Sequence, residues 1–412
     1  MSLHDRFAEV RSGLQLRMRG ARSEIVTDPE PEWATGFHRI QDDLRQRRPV
    51  ARTERFGGAW LGTRYEDVSA TAHDAECFSS RAFVVGNVRP PLGAAPVGVL
   101  PPASSDLPFH RGARRLLSSA FSRASVARLE PVTRAYCHGL IDALAGRDQV
   151  EAVSEYTQLI PTHLMVTLLG FPEQDAPRVQ HFATSTLQDV NVSAETRSDR
   201  AGERLTYLPA QIHDHLDHPR DDLTTRVLEA ELNGRELDPL HVYGTLAALL
   251  VADIDTTASA IGAALLHLAT TPADRARLVA ESALLPTAEE ELLRAHAPVM
   301  TARPVTRDMR WRDADMKAED WVLMSFPSAN RDPAEFDRAD NRHVAFGLGI
   351  HRCIGAHLGQ MELRVALEVR LERFPEFSLP DPSTVTWTAG QVRGPKTLPI
   401  HIGPAAPAGG QA

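Results

Sequence analysis

The sequence predicts a mainly α-helical fold with a small β region, and three observations carry that expectation. Apolar residues recur at three- and four-residue spacing through the middle and end of the chain, one such run extending from Pro239 to about Thr270. Short β-branched patches occur early, where Val50 to Thr53 and residues 59–63 alternate like strands. No linker or internal repeat divides the 412 residues, so they read as one domain, residues 1–412, with flexible tails at 1–20 and 403–412.

Each element has a local reason. Residues 122–145 have helical periodicity and stop before Gly146; residues 152–169 do the same and stop at Gly170, with Pro172 beyond. Residues 84–102, rich in Gly, Pro, Val and Ala, lack a period and read as a long ordered loop. Asp238 is placed to cap the long helix, Pro239 fits its first turn and Pro272 ends it, so the helix spans roughly 48 Å at 1.5 Å per residue. Thr287-Ala288-Glu289-Glu290 has the form of a capping box opening a further helix. The run after Gly355 reads as a last long helix.

Composition narrows the function. The chain is 42% hydrophobic and 24% charged, enough for a large core. Its formal charge of −9 and few aromatics argue against nucleic acid as a partner. Residues 1–20 are polar and Arg-rich with no apolar run for a signal peptide or anchor, and only Cys77, Cys137 and Cys353 are present; a cytoplasmic protein away from membranes is expected.

The chemistry concentrates in Phe346-Gly347-Leu348-Gly349-Ile350-His351-Arg352-Cys353-Ile354-Gly355. Gly347 and Gly349 let the backbone take positive φ and approach a flat group closely. The free N–H groups of the following helix face the sulfur and are expected to lower the thiol pKa. Cys353 could be a metal-binding thiolate, a buried core cysteine, or a nucleophile with His351 as its base.

Taken whole, this segment resembles the haem-binding loop of the cytochrome P450 family, Phe-Gly-x-Gly-x-His-x-Cys-x-Gly, at every fixed position. The resemblance covers the chain from about Trp60 to Ile402. It implies the cytochrome P450 fold, with a long central helix crossing over the cofactor. The cofactor the resemblance implies is heme b (iron protoporphyrin IX), which Cys353 would bind within a cradle that includes Phe346, Gly347 and Gly355. The implied activity is monooxygenation of a small to medium organic substrate with O2. A peroxygenase, coupling enzyme, dehydratase or isomerase, or a haem sensor, would carry the same loop.

Further motifs gain roles by the same resemblance. Ala252-Asp253-Ile254-Asp255-Thr256-Thr257 is similar to the family's oxygen-activation motif, implying that Thr256 hydrogen-bonds oxygen and Asp255 relays protons. Asp253 stands where the family has glycine, either facing the pocket or lying outward in solvent. Glu291 and Arg294, three apart on one helical face, are similar to the family's structural Glu-x-x-Arg pair, which an arginine upstream of the thiolate loop would complete; Arg338 is the first choice and Arg342 the second. His110 and Arg114, four apart, together with Arg303 and His351, would clamp the haem propionates. Leu249, Ala252, Val299, Met300 and Thr301 would line the substrate pocket, with Arg81 or Arg89 able to meet a carboxylate. Arg111, Arg115, Arg352 and Arg364 would form a basic face for a ferredoxin or flavodoxin, itself served by a reductase, because the chain has no further Cys cluster or nucleotide-binding glycine loop.

Overall fold

The computed structural model describes residues 36–47, 50–54, 58–84, 98–187, 194–336, 342–388 and 390–405. In chain order the helices are α1 Phe37–Arg47, α2 Tyr65–His73, α3 Phe109–Ser118, α4 Arg123–Ala127, α5 Glu130–Ala143, α6 Leu159–Leu169, α7 Ala176–Leu187, α8 Ala194–Asp217, α9 Leu223–Leu228, α10 Pro239–Thr270, α11 Pro272–Ala280, α12 Leu285–Ala295, α13 Phe326–Ala329 and α14 Ala356–Arg373. The strands are β1 Val50–Thr53, β2 Ala59–Gly62, β3 Gln149–Glu151, β4 Met300–Pro304, β5 Met309–Trp311, β6 Ala314–Met316, β7 Trp321–Ser325, β8 Phe377–Ser378, β9 Thr386–Trp387, β10 Pro395–Thr397 and β11 Pro399–Ile402.

α10 is the axis of the molecule, and its start follows from its cap. The Asp238 carboxylate accepts from the Leu240 N–H at 2.8 Å, satisfying one of the free amides of the first turn, while Pro239 needs no partner there. Leu246, Leu250, Ile254, Ile261 and Leu265 are at most 1% exposed in the main core, each worth roughly 2 kcal/mol on leaving water. By length and hydropathy this helix could span a membrane, but 72% of the apolar window is buried inside the protein, as in a core helix. α6, α7 and α14 pack around it, and α14 also lies along α5.

Two predicted helices are broken. The 122–145 run divides into α4 and α5 around Arg128 and Leu129, and the 152–169 run opens with a wider π-type turn, Val153–Thr157, before α6. Gly170 ends α6 at φ +68°, the left-handed cap expected of it. The expected capping box does not open the helix: α12 begins at Leu285 with Pro286 in its first turn, which moves Thr287 inside the helix, and Glu289 is buried.

The principal sheet has the order β1-β2-β7-β4, with β2 and β7 parallel and the outer pairs antiparallel. Strand alternation gives β4 two faces. Met300 and Ala302 join Phe37, Leu61, Trp321 and Leu323 in a core beneath the sheet; Val299, Thr301 and Arg303 fall on the other side. Residues 1–20, most of the 84–102 loop including Arg89, Arg338 and the end of the C-terminal tail lie outside the described residues.

Candidate active site

The Cys353 loop is held by backbone bonds and steric fit. Cys353 N–H donates to Phe346 O at 2.8 Å, and Gly347 N–H to Val344 O at 2.9 Å. Gly347 and Gly349 take φ +71° and +65°; a Cβ at Gly349 would lie 2.4 Å from the Ala72 carbonyl oxygen, so only glycine lets the loop rest on the end of α2. Gly355 precedes α14, and its N–H bonds the Cys353 sulfur.

Burial pushes the Cys353 thiol up, and the nearby Asp253 charge adds to this; the Gly355 amide, Arg114 and Arg352 oppose it without reversing it. The expectation of a lowered thiol pKa is therefore corrected: the helix amide acts in the expected direction, but desolvation is larger. Although its surroundings are dense, Cys353 is exposed, so the sulfur sits at the wall of a recess. Such a thiol ionises when a cationic metal takes it as ligand.

Four groups separated in sequence meet beside the loop. The His110 and His351 rings lie with centroids 4.1 Å apart, and both side chains feel the charges of Arg114 and Arg303. Burial first, then these cations, hold His110 down to about 4 and His351 to about 2; burial brings Arg303 to about 10. Arg114 Nη2 donates to Arg352 O at 2.6 Å, and Arg303 Nη1 to Ala302 O at 2.8 Å. The acid that His110 and Arg303 feel, Asp106, is engaged by Ser79 Oγ at 2.5 Å and the Ser80 N–H at 2.6 Å, and His351 Nε2 is buried without a partner. A flat dianion set on this cluster, with its metal at Cys353, meets the charge and hydrogen-bond requirements of the site, so haem fits the residues present.

On α10, Ala252 is exposed and Asp253, Thr256 and Ala260 are half-buried, a stripe open to the recess within a helix otherwise buried at this level. Thr256 Oγ donates to Ala252 O at 2.8 Å, leaving its lone pairs to accept from the open side. Asp255 is 1% exposed on the opposite flank from Asp253, the two being about 200° apart around the helix. Asp253 does not lie outward in solvent: its Oδ1 accepts from Thr257 Oγ at 3.2 Å, and its carboxyl is within hydrogen-bonding reach of Glu362 on α14.

Arg294 holds Glu291 with both arms of its fork, at 2.6 and 2.7 Å, and donates its remaining arm to Asn330 O at 2.7 Å. Arg342 is exposed. Of the expected pocket residues, Ala252 is open and Val299 half-buried, whereas Leu249 and Thr301 are buried. Met300 is a correction: at 2% exposure it faces the core beneath the sheet, because β4 alternation turns it away from Thr301. Arg81 is engaged by Ser79 Oγ and lies 3.6 Å from Glu319. Arg364 is also corrected, since it is no free charge: it bonds Glu130 and Glu368, and Arg134 completes that network between α5 and α14. Arg111, Arg115 and Arg352 remain exposed.

A cavity of about 70 Å³ between α3, α9 and α10, reached by Leu117, Val227 and Thr245, includes neither Cys353 nor Ala252.

The sequence model of the family described as Cytochrome P450 matches residues 148–389. Mycinamicin IV hydroxylase/epoxidase of Micromonospora griseorubida is 33% identical over 374 residues, covering 87% of this chain and 94% of that protein. Cyclomarin C epoxidase CymV of Salinispora arenicola is 31% identical over 381 residues, covering 88% and 95%. The structure of a mutant of P450 EryK in complex with erythromycin B superposes with a TM-score of 0.81 at 26% identity, covering 93% of this chain and all of that one.

The fold and the family match define a haem-dependent oxidoreductase. The chain belongs to the cytochrome P450 family: it is a monooxygenase that uses heme b, O2 and electrons from redox partners.

Proposed function

We propose that residues 1–412 act as one haem domain in the cytoplasm, with Cys353 as the iron's thiolate ligand and His110, Arg114, Arg303 and His351 as the propionate clamp. The observation that carries this reading is the gathering of those four groups around a sulfur in a glycine turn, where the charge of Asp106 is already engaged. Phe346, Gly347 and Gly355 shape the cradle around that sulfur.

When bound, haem supplies the oxygen activation, and thiolate donation favours O–O cleavage. The chain's own residues place the substrate and move protons. Ala252 and Val299 form an apolar wall that sheds water and accepts an organic substrate, with Leu249 and Thr301 behind it. Thr256, its proton committed to Ala252 O, accepts a hydrogen bond at the recess and passes a proton on when that bond shifts. Asp255, buried on the flank opposite Asp253, relays protons toward Thr256. Glu291 and Arg294 tie α12 to the segment before the thiolate loop. Relatives named as hydroxylases and epoxidases support oxygen insertion into C–H or C=C bonds.

Arg111, Arg115 and Arg352 offer a basic face suited to the acidic surface of a ferredoxin or flavodoxin carrying electrons from its reductase. The reading is tested by Cys353→Ala. The reduced, CO-bound variant loses the thiolate-type spectrum, whereas Cys77→Ala and Cys137→Ala keep it; a thiolate spectrum surviving in Cys353→Ala would overturn the assignment.

A further inference from the structure

Where α10 crosses α14, two acids meet, Glu362 fully buried and Asp253 at the inner edge of the open stripe. Glu362 is 0% exposed, and Asp253 Oδ2 and both Glu362 carboxyl oxygens are buried with no donor to either. The two carboxyls are nevertheless within hydrogen-bonding reach of one another. Two bare carboxylates in that position would repel and leave three acceptors unsatisfied, whereas a single proton between them removes the repulsion and satisfies two of the three.

No cation answers them among the described residues. From α10, Thr257 donates its hydroxyl to Asp253 Oδ1 at 3.2 Å, and Asp255 lies on the far flank. From the thiolate loop, Cys353 feels the charge of Asp253 and shares no hydrogen bond with it. From α5, Cys137 feels the charge of Glu362 and is bonded to Tyr156 of the π-type turn. Arg370, two turns further along α14, donates instead to Phe374 O at 2.8 Å. The crossing is close at this level, a Cβ on Gly359 lying 3.6 Å from Thr257 Oγ.

We propose that Asp253 and Glu362 form a proton-sharing pair that supplies the recess with a second proton source, independent of Asp255. Glu362 keeps one proton and donates it in a hydrogen bond to Asp253. Asp253 takes up a second proton from water at the open stripe and releases it there, beside Thr256. The pair cycles between neutral and singly negative, one O–H bond breaking at Asp253 as one forms on the acceptor in the recess, with no electron moved. Burial raises both acids, Asp253 to about 6, which suits a group that both takes and gives protons near neutrality.

The test uses the haem-loaded protein in two measurements. In the first, carboxyl infrared spectra are recorded as a function of pH without turnover. The wild type keeps a protonated-carboxyl band at pH 8 that survives in Glu289→Gln and is absent in Glu362→Gln, and gains another as the pH falls through about 6, absent in Asp253→Asn. Absence of any such band at pH 8 in Glu289→Gln would overturn the sharing, whatever the fate of the Asp255 assignment. In the second, product formed per electron is compared in Asp255→Asn and in Asp255→Asn/Asp253→Asn. The residual yield of the single variant falls with rising pH, and the double variant lies about tenfold lower with a flat pH profile. Equal yields in the two variants would overturn the proton-source role even if Glu362→Gln fails to fold.

Discussion

Arg294 and Glu291 meet fork to fork, Nε to Oε2 at 2.6 Å and Nη2 to Oε1 at 2.7 Å, within one turn of α12. The third arm of the guanidinium reaches Asn330 O, so a single side chain ties α12 to the segment following β7. Asn330 in turn accepts from the Val344 N–H at 2.7 Å, three residues before Gly347. Arg294→Lys keeps the charge but cannot span three acceptors, and is expected to cost about 2 kcal/mol. Denaturant unfolding checks this: the midpoint falls while the slope stays unchanged.

Arg303 is buried and bonded to a single backbone carbonyl, so its charge is available to a carboxylate. Arg303→Leu is expected to speed haem loss about tenfold or more while leaving the thiolate spectrum intact. Transfer of haem to an excess of an apo-globin acceptor measures it; an unchanged transfer rate would remove Arg303 from the clamp.

Thr256→Ala is expected to bind substrate and accept electrons as before but to release peroxide in place of product. The methyl group cannot accept the hydrogen bond that the hydroxyl offers to the recess. Peroxide and product per electron are the readouts. Asp255→Asn should slow turnover, with the loss confined to steps that show a solvent isotope effect.

Glu289 is 5% exposed, and burial first, then the Glu290 charge, raise its carboxyl to about 8. Below the unfolded value near 4.3 the acid is neutral in both states and costs nothing; between that value and about 8 the unfolded chain has released a proton that the folded protein keeps, so stability falls across this window and stays at the lower level above it. Glu289→Gln should therefore match the wild type at pH 4 and exceed it by on the order of 2 kcal/mol at pH 9. Melting temperatures across that range decide the matter, and a gain of equal size at both pH values would point to packing instead.

What could be foreseen depended on how local its cause was. α10 appeared with the predicted cap because Asp238 and Pro239 act within one turn, and the Cys353 loop because its glycines and sulfur are contiguous. Thr287 misled because a capping box looks the same one turn inside a helix that Pro286 has already begun. The direction of the Cys353 shift could not come from its motif, since burial is set by elements from elsewhere in the chain. Met300 and Thr301 were grouped by adjacency, which a strand separates onto opposite faces. Glu362 carries no signal of its own as one of three acids on α14; the signal is Asp253, a charge in an apolar run that needs a partner from another helix. Arg364 was read as free for want of knowing that Glu130 lies alongside.

The seating of Gly349 on the Ala72 carbonyl has a consequence for biosynthesis. The two halves of that contact come from opposite ends of the chain, so a ribosome that has finished α2 and the whole of α10 has still not made a place for the sulfur. Cofactor capture then waits for the Cys353 loop to be made, and a chain truncated before Gly349 would emerge pale and unable to retain pigment.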